Sequence, residues 1–223
     1  SNKIVGMYSA PAGSTLLIDR NCHKSLAHLL MMSDVVPLWL SPTRNALGIL
    51  GGIPRREFTH ASIERKVEET NQAQWPVHAV ITNSTYDGLL YNTNWIKQTL
   101  DVPSIHFDSA WVPYTHFHPI YQGKSGMSGE RVPGKVIFET PSTHKMLAAL
   151  SQASLIHIKG DYDEDTFNEA FMMHTTTSPS YPLVASIETA AAMLRGNPGK
   201  RLINRSVERA LHFRKEVQRL KEE

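Results

Sequence analysis

The chain reads as an α/β protein, with a mainly parallel sheet covered by helices on both faces. Two features predict this. Short apolar runs alternate with segments whose apolar residues recur three and four apart, the order of repeated strand–helix–strand units. Four polar residues, Asp19, Asn83, Asp108 and Lys145, stand at or just beyond the ends of such runs. Open parallel sheets bind ligands at those carboxyl ends.

Asn2 to Tyr8 reads as helical, and Pro11-Ala12-Gly13 breaks it. Thr15 to Ile18 is a short buried strand, and Lys24 to Met32 a helix with Leu26, Leu29 and Leu30 on one face. Val35 to Leu40 is the next strand, and Pro37 suits an edge or a bulge there. A loop containing Gly48, Gly51 and Gly52 leads to a charged helix from about Thr59 to Glu69. Strands follow at Val77 to Thr82, Ser104 to Asp108, Val136 to Thr140 and Leu155 to Ile158, with a helix from Trp95 to Leu100 between the first two. From Glu164 the pattern is helical: one helix through Met173, one across Val184 to Leu194 and a stop at Gly196-Asn197-Pro198-Gly199. The longest helix spans Lys200 to Glu223, where Ile203, Val207, Ala210, Phe213, Val217 and Leu220 form one apolar stripe. The expected division is therefore a core domain over 1–199 and a leading-out helix over 200–223.

Composition narrows the function classes. A chain of 223 residues can bury a substantial core. With 23 basic and 21 acidic residues the net charge is +2, too balanced for a nucleic-acid footprint. The single cysteine, Cys22, excludes an intrachain disulfide and suits a reducing cytoplasm. No apolar run approaches the ~20 residues of a membrane span, and the first residues lack the order of a signal peptide.

Ser142-Thr143-His144-Lys145 follows the run Val136-Ile137-Phe138. A lysine there, preceded by hydroxyls and an imidazole, has neighbours that could bind a phosphate and lower its pKa, as a carbonyl-trapping amine requires. Upstream, His106-Phe107-Asp108-Ser109-Ala110-Trp111 ends another strand in a carboxylate. Such an aspartate can hold the protonated ring nitrogen of pyridoxal phosphate. These two segments, with Asp19-Arg20-Asn21-Cys22-His23-Lys24-Ser25 and Thr82-Asn83-Ser84-Thr85-Tyr86-Asp87-Gly88, stand in the order and spacing of the bacterial lysine, ornithine and arginine decarboxylases. The whole chain resembles the core domain of that family, most of all its enterobacterial lysine decarboxylases. Such enzymes are several times longer.

The resemblance implies an aspartate-aminotransferase-like (fold type I) large domain with a seven-stranded type of sheet. It implies pyridoxal 5'-phosphate as cofactor, L-lysine converted to cadaverine and carbon dioxide in acid stress, and a homodimer with shared active sites that assembles further in the full-length family. On it, Lys145 carries the cofactor and Asp108 holds its ring nitrogen. His23 stacks on the ring, Trp111 reaches the phenolic oxygen, and Ser142 and His144 lie near the phosphate. Thr176 reaches the neighbouring subunit's phosphate, while Thr85 and Asp87 line the pocket. A short phosphate loop and a C-terminal domain of the family lie outside this chain. Pro141 stands where the family commonly carries glutamine, which could shift Ser142. The alternatives are an ornithine or arginine decarboxylase, or an inactive fragment serving only as a subunit-interaction module.

Other motifs argue against themselves. His116-Phe117-His118 would set two imidazoles on one face of a strand, but no cysteine or acid stands at a helpful spacing, so no metal is expected. Gly48-Ile49-Leu50-Gly51-Gly52 lacks the Lys-Ser/Thr of a nucleotide loop, and Cys22 has no partner that would make it a nucleophile.

Overall fold

The computed structural model describes residues 1–222. A single six-stranded sheet forms its centre, with spatial order β2-β1-β3-β4-β5-β6. The strands are β1 (Thr15–Asp19), β2 (Val36–Leu40), β3 (His78–Thr82), β4 (Ser104–Asp108), β5 (Val136–Glu139) and β6 (His157–Lys159). β1 to β5 are parallel, and β6 pairs antiparallel with β5. Six strands are seen among the described residues, where the resemblance implied seven. Their architecture is the expected one. Pro37 sits on β2, an edge strand, where its missing N–H has no ladder partner to disappoint.

Eight α-helices are seen among the described residues: α1 (Asn2–Ser9), α2 (Lys24–Met32), α3 (His60–Glu69), α4 (Thr93–Thr99), α5 (Thr143–Met146), α6 (Glu164–Met172), α7 (Tyr181–Leu194) and α8 (Gly196–Glu222). Side-chain caps start several of them. Thr59 accepts from the Ser62 amide, Asn92 from Trp95 and Asp163 from Thr166, each satisfying an otherwise orphaned first-turn N–H. The strand period of two divides the core between the two faces. Leu17, Ala79, Ile81, Ile105, Phe107 and Ile137 pack on one side with Phe58, Ile63 and Ile96. Leu16, Ile18 and Val80 pack on the other with Leu26 and Leu29 of α2. On that second face α1 lies so close to α2 that a Cβ on Gly6 would collide with the Leu29 side chain.

The long final helix begins at Gly196, four residues earlier than the sequence suggests. The break between α7 and α8 falls at Arg195, and a Cβ on Gly199 would strike the Leu194 carbonyl, so a glycine is what lets the corner close. The expected end of that helix, Glu223, lies outside the described residues. Phe213, Val217 and Leu220 are exposed along it.

The strand order reverses next to β1: the chain leaves to β2 on one side and returns to β3 on the other. That reversal opens a crevice above the carboxyl ends of β1 and β3, as doubly wound sheets do.

Candidate active site

A cleft of about 660 Å³ occupies this crevice, within the size range of small-molecule sites. It is walled by Asn21 to Ser25 after β1, by Thr82 at the end of β3 and Ser84 beyond it, by Asp108 at the end of β4, and by Ser142, His144 and Lys145 after β5. Of the expected site residues, Lys145, Asp108, His23, Trp111, Ser142 and His144 are thus brought to one place.

Asp108 is 4% exposed. Its Oδ2 accepts from Asn2 Nδ2 at 2.7 Å and its Oδ1 from the Ala110 amide at 3.3 Å. Burial nevertheless pushes its carboxyl pKa up, and the two hydrogen bonds only partly offset that. The carboxylate is therefore short of stabilising partners, and a cationic N–H donor in the cleft would supply one.

Asn2 is a contact that sequence reasoning missed. Its own oxygen accepts from the Thr140 hydroxyl at 2.9 Å, and Thr140 Oγ1 lies 2.8 Å from His106 Nε2. An amide oxygen can only accept, so the Thr140 proton points to Asn2 and His106 Nε2 must donate to Thr140. Buried His106 thereby acquires a fixed tautomer, with its Nδ1 lone pair unpartnered. Asn2 Nδ2 also reaches Ser25 Oγ at 3.1 Å, joining Asp108 to the start of α2.

Lys145 does not follow a strand directly. It lies on the single helical turn α5, six residues beyond the end of β5. Its Nζ stands 4.8 Å from the centroid of the Trp111 ring, a cation–π contact that holds the amine over the indole. Tyr86 meets the same indole edge-on at 5.5 Å. His23 caps α2, its Nδ1 accepting from the Ser25 amide at 3.2 Å, which leaves Nε2 as the ring's donor. His144 is held by Nδ1 against the Ala153 carbonyl at 2.7 Å. The Ser142 side chain makes no cap bond to α5. Pro141 is buried past the last ladder bond, which the Thr140 amide makes to Phe107, so its missing N–H interrupts nothing.

Three expected residues, Thr85, Thr176 and Asp87, lie elsewhere. Thr85 is buried, but its hydroxyl accepts from the Leu89 amide at 3.2 Å and closes the turn 85–89 off the cleft wall. Thr176 is exposed in the loop between α6 and α7, and its hydroxyl accepts from the Ser178 amide at 3.1 Å. It does not line this chain's own cleft. Asp87 is exposed, while Asp19 and Asn83 act structurally. Asp19 takes the Asn21 and Thr82 amides, and Asn83 ties Tyr91 to Lys124.

Among the lining residues Lys3, Lys24 and Lys145 are cationic and Asp108 alone is acidic. A ligand carrying a phosphate and a protonated ring nitrogen matches that distribution, since each charge meets its opposite.

Comparison with known proteins shows the family and the fold. The family model for the Orn/Lys/Arg decarboxylase major domain matches residues 1–223. The chain is 91% identical over its whole length to the constitutive lysine decarboxylase of Escherichia coli K12 and 75% identical to the lysine decarboxylase of Hafnia alvei. It spans 31% and 30% of those two proteins. The solved E. coli constitutive enzyme superposes with a TM-score of 0.95 over 99% of this chain and 31% of that one. The lysine decarboxylase of Francisella novicida, 59% identical, superposes equally well over the same shares. A putative aminotransferase from Clostridium difficile, 10% identical, shares the fold with a TM-score of 0.55 over 93% of this chain and 50% of that one.

Proposed function

Since the chain belongs to the Orn/Lys/Arg decarboxylase family, we propose that it is the cofactor-binding core of a pyridoxal 5'-phosphate-dependent lysine decarboxylase. The reaction releases carbon dioxide from L-lysine and leaves cadaverine. The observation that carries this reading is the buried Asp108 carboxylate facing the same cleft as Lys145. Identity to relatives favours lysine as substrate: 91% and 75% to lysine decarboxylases, against 38% and 34% to arginine and ornithine decarboxylases of E. coli.

When bound, pyridoxal phosphate supplies an electron sink for the pair left on the α-carbon as carbon dioxide departs. Lys145 would hold the cofactor through its amine and give it up to the substrate amine, and the Trp111 ring keeps that amine over the cleft. Asp108, oriented by Asn2 and the Ala110 amide, would keep a proton on the ring nitrogen. His23 would lie against the ring, and Ser142, Lys3 and Lys24 would meet the phosphate. A proton is consumed at the α-carbon in each turnover, which suits a role in acid stress. The homodimer with shared sites, and a reach of Thr176 into the neighbouring one, belong to the same proposal.

The test is an absorbance spectrum of the chain with added pyridoxal phosphate, followed by borohydride reduction and peptide mapping. A visible band and label on Lys145, both lost in Lys145→Ala, are expected. Label on another lysine, or an unchanged band in the variant, overturns the assignment. A second reading, a core that folds but turns over only with the rest of the enzyme, is favoured by the exposed apolar stripe on α8. Cofactor binding without carbon dioxide release would distinguish it.

A further inference from the structure

On the far side of β4 from the cleft, the fold gathers a second set of donor groups from three separate segments. Glu139 is the last residue of β5 and fully buried. His157, the first residue of β6, is its register partner across the antiparallel ladder. His116 ends the one-turn helix Pro113–His116. His116 Nε2 lies 3.1 Å from Glu139 Oε2 and His157 Nδ1 lies 4.0 Å from the same oxygen. All three donor atoms fall within 4.8 Å of one another. The acid that the spacing of His116-Phe117-His118 fails to offer thus arrives from another strand. His118 takes no part, because it turns away to cap the next turn at the Ile120 amide.

We propose that His116, Glu139 and His157 form a divalent-cation site, fitted best by Zn²⁺. Two imidazole nitrogens and a carboxylate oxygen are the donor set this borderline ion favours. A tetrahedral site with bonds of about 2.0–2.1 Å sets its ligand atoms about 3.3 Å apart, so closing the cluster on an ion requires only His157 to move inward by roughly an ångström. The carboxylate is already aimed. Its Oε1 is held by the Ser109 hydroxyl at 2.7 Å and the Gly126 amide at 2.8 Å, which turns Oε2 toward the two rings. Supporting contacts of this kind hold metal ligands in place. Ser125 Oγ, 2.9 Å from Oε2 and 3.0 Å from His116 Nε2, stands where a fourth ligand or its bound water would be. The loop carrying Ser125 is fastened independently: Lys97 binds the Gly126 and Ser128 carbonyls and Lys159 those of Met127 and Gly129. The imidazoles are 29% and 37% exposed, which gives an ion a way in from solvent. Bound there, it would staple β5, β6 and the 109–128 segment together beside the strand end that carries Asp108.

The experiment uses the whole 223-residue chain, stripped with chelator and free of cofactor. Titration with Zn²⁺ is followed by calorimetry, and titration with Co²⁺ by visible absorbance. One saturable equivalent, intense tetrahedral Co²⁺ bands and a raised melting temperature are expected. His116→Ala and His157→Ala should each weaken binding about tenfold or more, while His118→Ala leaves it intact. Both ring variants are at partly exposed positions, and circular dichroism confirms their folding. Should either fail to fold, Glu139→Gln with its shape preserved serves in its place. Absence of a one-equivalent transition, or binding equally tight in both ring variants, overturns the site.

Discussion

Lowering the pH should unfold this chain chiefly through two buried histidines beneath the cleft. His78 and His106 are fully buried on neighbouring strands with their rings stacked at 6.1 Å, and each has one unpartnered ring nitrogen. Burial drives the pKa of His78 down to about 3, and that of His106 well below its ordinary value, with the neighbouring His78 adding to the effect. The unfolded chain binds a proton at each near pH 6.5 while the folded chain does not, so stability is full above that pH and falls as pH drops below it. At pH 5 the His78 site alone costs 1.36 × log(1 + 10^1.5), about 2 kcal/mol, and His106 adds a loss of the same sign. That is a large part of the ~5–15 kcal/mol typical of a domain. Asp19 and Asp108, whose pKa values burial raises, work in the opposite sense. The difference between wild type and a variant therefore isolates the histidine. Urea unfolding at about pH 7.5 and pH 5 should show a loss roughly 2 kcal/mol smaller in His78→Gln than in wild type. Equal losses, or a His78 ring resonance titrating near 6.5, would refute the reasoning.

Asn2→Ala removes a hydrogen bond to a buried carboxylate, worth about 1.5–3 kcal/mol, so pyridoxal phosphate should bind about ten- to a hundredfold more weakly; unchanged affinity by equilibrium dialysis would show that Asp108 needs no such orientation. Gly6→Ala forces a methyl into Leu29 and should lower stability by about 1–3 kcal/mol, read as a drop in melting temperature. Thr85→Ala should loosen the turn 85–89 yet leave cofactor affinity within about twofold, since the hydroxyl is engaged by Leu89. A tenfold loss would return Thr85 to the site.

Much of the sheet was legible because its strands are short apolar runs with clean ends. β4 falls on Ser104–Asp108, the bounds its sequence pattern predicts, so the position of Asp108 at a strand end is legible from sequence. β6 was seen as a strand but not as an antiparallel one. The residues between β5 and β6 contain only the single turn α5, too little helix for a parallel crossover, and that length was the available signal. α5 itself was missed because four residues of helix carry no periodicity. The turn is held by tertiary contacts, the amide and Nδ1 of His144 both meeting the Ala153 carbonyl. Pro113 at the first position of a tight turn was the signal that His116 and His118 do not share a strand face.

What stayed hidden is of another kind. Asn2 and Asp108 are 106 residues apart, and Glu139 and His157 are brought together by strand register while His116 comes in from a separate turn. In both cases the polar partner of a legible residue comes from a segment with no motif of its own. Consecutive residues at the end of β4 connect the two places, since Asp108 accepts from Asn2 at the cleft while the Ser109 hydroxyl, one residue on, donates to Glu139. Neighbouring side chains on an extended chain point to opposite sides. The cleft and the histidine cluster are therefore braced by the same short length of backbone.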